Sequence, residues 1–424
     1  MVLLSRNPLV GSARRSFRAL ALVPDAFGSY GGIAKFNRDL LTAICAHPGC
    51  AEVVAIPRLM QEAPGLLPDK LKWIGDGRGT KLRYVWAALK IAIRNSPRVG
   101  SGIKTLGCNA VAQPLAPGLQ PTEEARDGFD LLLCGHINLL PAAFMARKLA
   151  RRASRSAQGT ACPLVLIIHG LEAWEPHRSP LVRTLARRVD AFVSVSAFTR
   201  DRFLRWARVP AAKCFPLPNC VDLDRFQPGG KNLELLKKYG LDGRKVLMTL
   251  GRLLPDRPKG IDEVLELLPE LSKAVPQIAY LIVGDGPDRL RLTAKAVELG
   301  VTDRVVFAGR IPESEKAAHY RLADAFVMPG YGEGFGIVYL EALACGIPVL
   351  ASTLDASREA LRDGEMGMLV DPRNRAELYH GIVRVLQKPR GEVPERLEDF
   401  SVPNFAKRCY GIVDTLCPVA AGGH

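Results

Sequence analysis
Short apolar runs alternate with helix-period amphipathic segments along almost the whole chain of 424 residues. The runs at 18–23, 52–56, 129–133, 164–168 and 190–195 read as one set of strands. Those at 245–250, 277–283, 303–307, 324–328, 347–350 and 367–370 read as a second set. Between them, 33–46, 179–188, 197–207, 260–273, 286–299 and 374–387 place apolar residues at the spacing of one helix face. Strands that are apolar throughout, rather than at alternate positions, are covered on both sides. Alternating with helices, they predict parallel α/β sheets. The pattern breaks near Phe215 to Phe226, where Pro216, Pro218 and Pro228 interrupt it, and a domain boundary is placed there. The expected architecture is two doubly wound domains, 1–217 and 218–398, followed by a segment 399–424. That last segment reads as a helix with Phe405, Cys409, Ile412 and Leu416 on its apolar face. Residues 75–120 are rich in Gly, Pro, Lys and Arg; they predict a helix near 80–94 and then a long loop.

Candidate chemistry gathers in the loops after the strands. The strongest signal is Glu333-Gly-Phe-Gly-Ile-Val-Tyr-Leu-Glu341, with the apolar stretch Ala342 to Val349 behind it. Gly334 and Gly336 permit a tight turn, and a helix starting near Gly336 would offer free backbone N–H groups to a phosphate. Glu333 falls on the loop and Glu341 about a turn and a half inside the helix, so the two carboxylates can hold different hydroxyls of one extended ligand. Arg252 follows Gly251 at the end of the run 245–250, and Lys259-Gly260 opens the next helix. Both cations point to the crevice of a parallel sheet, where they would neutralise a diphosphate. Gly31-Gly32 forms a comparable cradle after the first strand of the other domain. His169 ends the run 164–168, and Glu172 and Trp174 just beyond it are candidates to line an acceptor pocket.

Two patterns mimic function. Asp222 and Asp224 match a metal-binding carboxylate pair, but they sit in the linker and read as turn and cap residues. Gly284-Asp-Gly286 resembles a dinucleotide fingerprint without its third glycine and reads as a strand-to-helix turn. Ten scattered cysteines form no Cys-x-x-Cys pair and no zinc-like cluster, which favours free thiols in a reducing cytosol. No apolar run has the length of a signal peptide core or a membrane span. The formal charge of +15 is uneven: residues 1–217 hold 31 Lys/Arg against 14 Asp/Glu, and the rest hold 27 against 29. The basic half suits an anionic partner such as lipid headgroups or a lipid-linked diphosphate, or equally a set of solvated helix faces. Aromatic content of 7% argues against a nucleic-acid stacking platform.

Taken in order, these motifs resemble the family-four glycosyltransferases, which have the GT-B fold of two Rossmann-like domains facing across a cleft. The likeness runs through the glycines at Gly31, the His-Gly at His169, SAFTRDRF at Ser196 and PNCVDLDRF at Pro218. It continues through GRL at Gly251, KGIDEV at Lys259, VGDGPDR at Val283, FAGRIPESEK at Phe307 and EGFGIVYLEALACG at Glu333. It implies a retaining, metal-independent transfer of a sugar from a nucleoside-diphosphate sugar, with no cofactor, to a saccharide or lipid-linked acceptor in exopolysaccharide or lipopolysaccharide assembly. Glu341 would bind ribose hydroxyls, and Glu333 with the N–H groups of Gly334, Phe335 and Gly336 would hold the sugar and its phosphate. Arg252 and Lys259 would take the diphosphate, the backbone at Arg310 and Ile311 the base, and His169 would stand beside the sugar. The terminal helix would cross back to the first domain. Retention through front-face attack is implied, with a covalent intermediate on Glu333 as the rival route. The chain departs from the family at Leu254 to Pro258, five residues where three are usual, and at Pro329-Gly-Tyr-Gly332, where a Ser-based stretch is common. A nucleotide-sugar epimerase or hydrolase and a non-catalytic sugar-nucleotide-binding subunit stand as alternatives. The expected location is the cytoplasm, with peripheral association at the inner membrane face.

Overall fold
The computed structural model describes residues 16–94, 128–153, 162–255 and 259–418. Its first sheet has seven strands in the order β3-β2-β1-β4-β5-β6-β7. They are β1 (Phe17–Val23), β2 (Cys50–Pro57), β3 (Leu71–Trp73), β4 (Leu131–Cys134), β5 (Leu164–Ile168), β6 (Ala191–Ser194) and β7 (Cys214–Pro216). Its second sheet has six, in the order β10-β9-β8-β11-β12-β13. They are β8 (Lys245–Leu250), β9 (Ile278–Val283), β10 (Val305–Gly309), β11 (Ala325–Met328), β12 (Val349–Ser352) and β13 (Met368–Val370). Every pairing is parallel. All five residues of β5 and all six of β9 are buried, as continuous apolar strands under two helical layers should be.

In each sheet the strand order reverses once, between β1 and β4 and between β8 and β11. A parallel sheet opens a crevice beyond the carboxyl ends of its strands at such a reversal, because the flanking loops depart to opposite faces. The loops after β1, β8 and β11 carry Gly31-Gly32, Arg252 and Glu333, so this topology delivers the candidate chemistry to two facing crevices.

The terminal helix Val402–Leu416 packs on Gly32–Ala46 of the first domain. The Phe405 ring lies 5.8 Å from Phe36, and His47 Nε2 lies 3.3 Å from Asp414. Its buried positions are Phe405, Cys409 and Val413, whereas Ile412 and Leu416 pack only partly against the core. The strands β3 and β7 lack any apolar run of strand length, and β7 occupies part of the stretch read as linker. The run expected at 303–307 begins later because Thr302–Arg304 forms a 3-10 turn. The helix expected near 80–94 spans Lys81–Arg94, while the long loop after it and the insertion at 256–258 lie outside the described residues.

Candidate active site
The Glu333 loop follows β11 and caps the helix Ile337–Ala344 through Gly336 at φ 92°. A side chain at Gly336 would meet the Tyr339 ring at 2.3 Å, so glycine serves both conformation and space there. Asp355 anchors the loop from below: its Oδ2 accepts the Glu333 N–H at 2.8 Å, and its Oδ1 accepts the Ser357 N–H and hydroxyl at 3.0 and 2.6 Å. Burial pushes the Asp355 carboxyl up to about 6. No acceptor among the described residues takes the N–H of Gly334, Phe335 or Gly336. The helix therefore offers these donors to a ligand.

Lys259 Nζ donates to Glu333 Oε2 at 2.5 Å, and both side chains are about four-fifths buried. Arg252 is exposed at the carboxyl end of β8, and no ion pair among the described residues engages it. Its charge reaches Asp25, beyond β1 on the opposite wall, where burial raises the Asp25 carboxyl and Arg252 opposes the rise. Glu341 is 0% exposed. Lys316 Nζ donates to its Oε1 at 3.0 Å and Tyr320 OH to its Oε2 at 2.8 Å. In this arrangement Glu341 presents no surface, and both its oxygens are held by Lys316 and Tyr320.

The two domains touch at backbone distance. A Cβ on Gly334 would fall 1.9 Å from the His169 carbonyl oxygen, and one on Gly170 3.0 Å from the Gly334 Cα. The Ser196 hydroxyl donates to the Gly334 carbonyl at 2.8 Å. Glu359 accepts the N–H groups of Ala197 and Phe198, each at 2.7 Å, and so caps the helix Ala197–Ala207 from across the boundary. At the outer rim the Arg310 guanidinium sits 4.0 Å over the Tyr30 ring and 3.4 Å from Glu62. Ile311 packs against the core.

His169 Nε2 donates to the Gly135 carbonyl at 2.9 Å, and its ring meets the Phe36 edge at 5.1 Å. Burial lowers its pKa below the ordinary value, so the imidazole is neutral at neutral pH with Nδ1 left as an acceptor. Gly31 stands at φ 103°, and side chains added to Gly31 or Gly32 would meet nothing within 4 Å, which leaves room before that helix end.

Glu172 and Trp174, expected at an acceptor pocket, are occupied elsewhere. Glu172 accepts the N–H of His169 at 2.5 Å and that of Gly170 at 3.2 Å, holding the turn. Trp174 is 6% exposed and donates to Thr199 Oγ1 at 3.0 Å. The first-domain wall instead carries three unpartnered oxygens that sequence reasoning missed. Asp25 Oδ1, Ser29 Oγ and Asn37 Oδ1 are buried and have no partner among the described residues. For Asp25 and Ser29 the position in the loop after β1 was the available signal; Asn37 lies inside the helix Gly32–Ala46.

The mimics resolve as turns. Asp222 Oδ1 accepts the N–H groups of Asp224 and Arg225. Gly284 and Gly286 let the loops after β8 and β9 touch, since a Cβ there would fall 1.9 Å from Gly251 O and 2.1 Å from Leu253 O. No cluster of His, Cys, Asp and Glu among the described residues is arranged to hold a metal.

Residues 111–225 match the profile of "Glycosyltransferase Family 4" and residues 232–401 that of "Glycosyl transferases group 1". A GDP-mannose-dependent alpha-(1-6)-phosphatidylinositol monomannoside mannosyltransferase of Mycolicibacterium smegmatis is 40% identical over 57% of this chain and 64% of its own length. A phosphatidyl-myo-inositol mannosyltransferase of Mycobacterium tuberculosis is 36% identical over 49% of the chain and 53% of its own length. The chain thus spans less than two thirds of these relatives. Among solved structures, a glycosyltransferase from Rickettsia africae superposes with a TM-score of 0.67 at 16% identity, covering 95% of this chain and 99% of that one. An Anabaena protein in complex with UDP and glucose superposes at 0.61 and 18% identity, covering 95% and 96%. Parallel sheets facing across a cleft, the motifs in sequence order and both profiles agree: the chain belongs to the family-four glycosyltransferases of GT-B fold.

Proposed function
We propose that this protein is a retaining glycosyltransferase that moves a hexosyl group from a nucleoside-diphosphate sugar to a lipid-linked polyol or saccharide of the cell envelope. The observation that carries the reading is the closure of the Gly334 loop on the His169–Gly170 turn, which brings Arg252, Lys259 and Glu333 opposite His169. GDP-mannose is the first donor to test, because the Mycolicibacterium smegmatis relative named above depends on it.

Arg252 and the free N–H groups of Gly334, Phe335 and Gly336 stabilise the departing diphosphate, and fixed donors aimed at developing charge are the strongest help such a site gives to catalysis. Lys259 has three N–H donors, so it can hold a phosphate oxygen while keeping Glu333. Glu333 then stays clamped and orients sugar hydroxyls. That clamp favours front-face attack, with a donor phosphate oxygen taking the acceptor proton, over attack by Glu333 itself. The reading assigns the diphosphate to side-chain cations and backbone donors, with no metal and no cofactor. Glu341 receives the ribose once Lys316 yields, and Asp25, Ser29 and Asn37 accept hydroxyls of the acceptor. Neutral His169 lies beside the transferred sugar.

The membrane face is assigned to the helix Lys81–Arg94. It buries Tyr84, Ala87, Ala88 and Ala92 and exposes Leu82 at 82% and Trp86 at 68%, with Lys81 and Arg83 beside them. Near an anionic surface each basic residue adds about 1 kcal/mol. Among the described residues no helix is long and apolar enough to cross a membrane.

Incubation with GDP-mannose and vesicles containing phosphatidylinositol, read by NMR of the product anomeric centre, tests the assignment. An α-linked product that requires acceptor is expected. Turnover without acceptor points to a hydrolase or epimerase, and bound donor without turnover to a binding subunit.

A further inference from the structure
A second cavity, of about 260 Å³, opens at the hinge. Its wall comes from three parts of the chain: Arg200 of the first domain, Glu359 and Arg362 of the second, and Asp399, Phe400 and Arg408 of the return segment. It shares Phe335 with the donor loop and none of Arg252, Lys259, Glu333 or Glu341.

This wall carries charges of both signs, and one of its cations is left without a carboxylate. Both oxygens of Glu359 are taken by the N–H groups of Ala197 and Phe198. Asp399 pairs with Arg362. Arg408 reaches only the Asp399 backbone carbonyl, at 2.7 Å, and Arg200 turns to the exposed Asp201. Three guanidiniums and two carboxylates thus border the cavity; Arg362 pairs with Asp399 and Arg200 with Asp201, which leaves Arg408 without an ion pair among the described residues. Arg362 Nε is buried with no partner among the described residues. Burial, and then the neighbouring Arg362, hold the Arg408 pKa below its ordinary value.

The backbone adds an independent observation. Arg362 and Asp363 stand at φ 49° and 53°, two consecutive non-glycine residues in the left-handed region. Such strain persists only where the surroundings hold it, and it gathers at ligand clamps and switches. Here it sets the Arg362 guanidinium 5.7 Å over the Phe400 ring, at the cavity wall.

We propose that this cavity binds free inorganic phosphate, which bridges Arg200, Arg362 and Arg408 and ties the two domains and the return helix together. Guanidinium forks match tetrahedral oxyanions with paired N–H donors. The volume lies below the roughly 300–1,000 Å³ of pockets for drug-sized ligands, which suits a small anion rather than a nucleotide. Occupancy would stiffen the hinge on which the Gly334–His169 closure turns, whichever sugar is transferred.

Thermal unfolding of the full chain, titrated with phosphate against chloride of matched ionic strength, tests this in the wild type, Arg252→Gln, Arg408→Gln and Arg200→Gln. The expected result is a saturable rise with phosphate alone that survives Arg252→Gln and disappears in Arg408→Gln. Arg200→Gln, on the outer wall, should fold normally and weaken phosphate at least fivefold, which decides the matter if Arg408→Gln does not fold. An equal rise with chloride, loss of the effect in Arg252→Gln, or undiminished phosphate binding in Arg408→Gln or Arg200→Gln overturns the proposal.

Discussion
Replacing Gly334 by alanine puts the closure of the cleft to a direct test. The added Cβ would sit 1.9 Å from the His169 carbonyl oxygen and 2.9 Å from the Gly170 Cα. An ordinary carbon–oxygen contact is about 3.3 Å, so the two loops must part by about 1.4 Å. Both neighbours are backbone, and neither can swing aside as a side chain would. Misplacement of reacting groups by about 1 Å costs on the order of 100-fold in rate, or about 2.7 kcal/mol of barrier. The side chains proposed to hold the donor, Arg252, Lys259 and Glu341, lie outside the displaced loop and keep their mutual positions, whereas the Gly334 N–H proposed for the diphosphate moves with it. The variant should therefore lose about 100-fold in kcat, while its donor dissociation constant, by calorimetry, rises by about tenfold at most, because only one of several phosphate donors shifts. A kcat within about threefold of wild type would refute the closure argument, since the loops would then tolerate separation without consequence.

Other expectations follow from the same geometry. Arg252→Ala should lower kcat by about 100- to 1,000-fold, as loss of one preorganised donor to a developing charge does, with retained folding checked by circular dichroism. Glu359→Gln removes the charge from the cap on the helix Ala197–Ala207; it should lower stability by about 1 kcal/mol in urea unfolding and enlarge the radius of gyration in solution scattering. Asp355 titrates at about 6 in the folded protein, against 3.8 for an ordinary aspartate. The folded state holds that proton more tightly than the unfolded chain, so stability rises as pH falls from about 6 towards 4 and is lower above 6. The gap corresponds to on the order of 3 kcal/mol, and the difference in unfolding free energy between wild type and Asp355→Asn should change by that much across this window.

The second domain was legible because its chemistry is local. Glu333 and Glu341 lie on one loop and helix bracketed by glycines, and Arg252 and Lys259 stand at a strand end and a helix start. The edge strands β3 and β7 were missed because three residues carry no period, and pairing with a longer neighbour is what makes them strands. The partners of the site were missed for another reason: they are distant in sequence and unremarkable in type. Lys316 and Tyr320 lie four apart on a one-turn helix that reads as surface, yet both close on Glu341. Glu359 looks like a solvated residue until the fold brings the end of the helix Ala197–Ala207 against it. Trp174 and Glu172 show the converse, since proximity to His169 suggested ligand contact where the structure spends them on packing and on a turn.

The central claim is that the second domain binds a nucleoside-diphosphate sugar through the helix carrying Glu341. Thermal unfolding with GDP-, UDP-, ADP- and dTDP-sugars, on wild type and Glu341→Ala, measures it most directly. At 100 times its dissociation constant a ligand adds about 2.7 kcal/mol of stability. The account predicts such a rise for one nucleotide class, GDP first among them, and its loss in Glu341→Ala. No rise with any donor, or a rise unchanged in the variant, would contradict it.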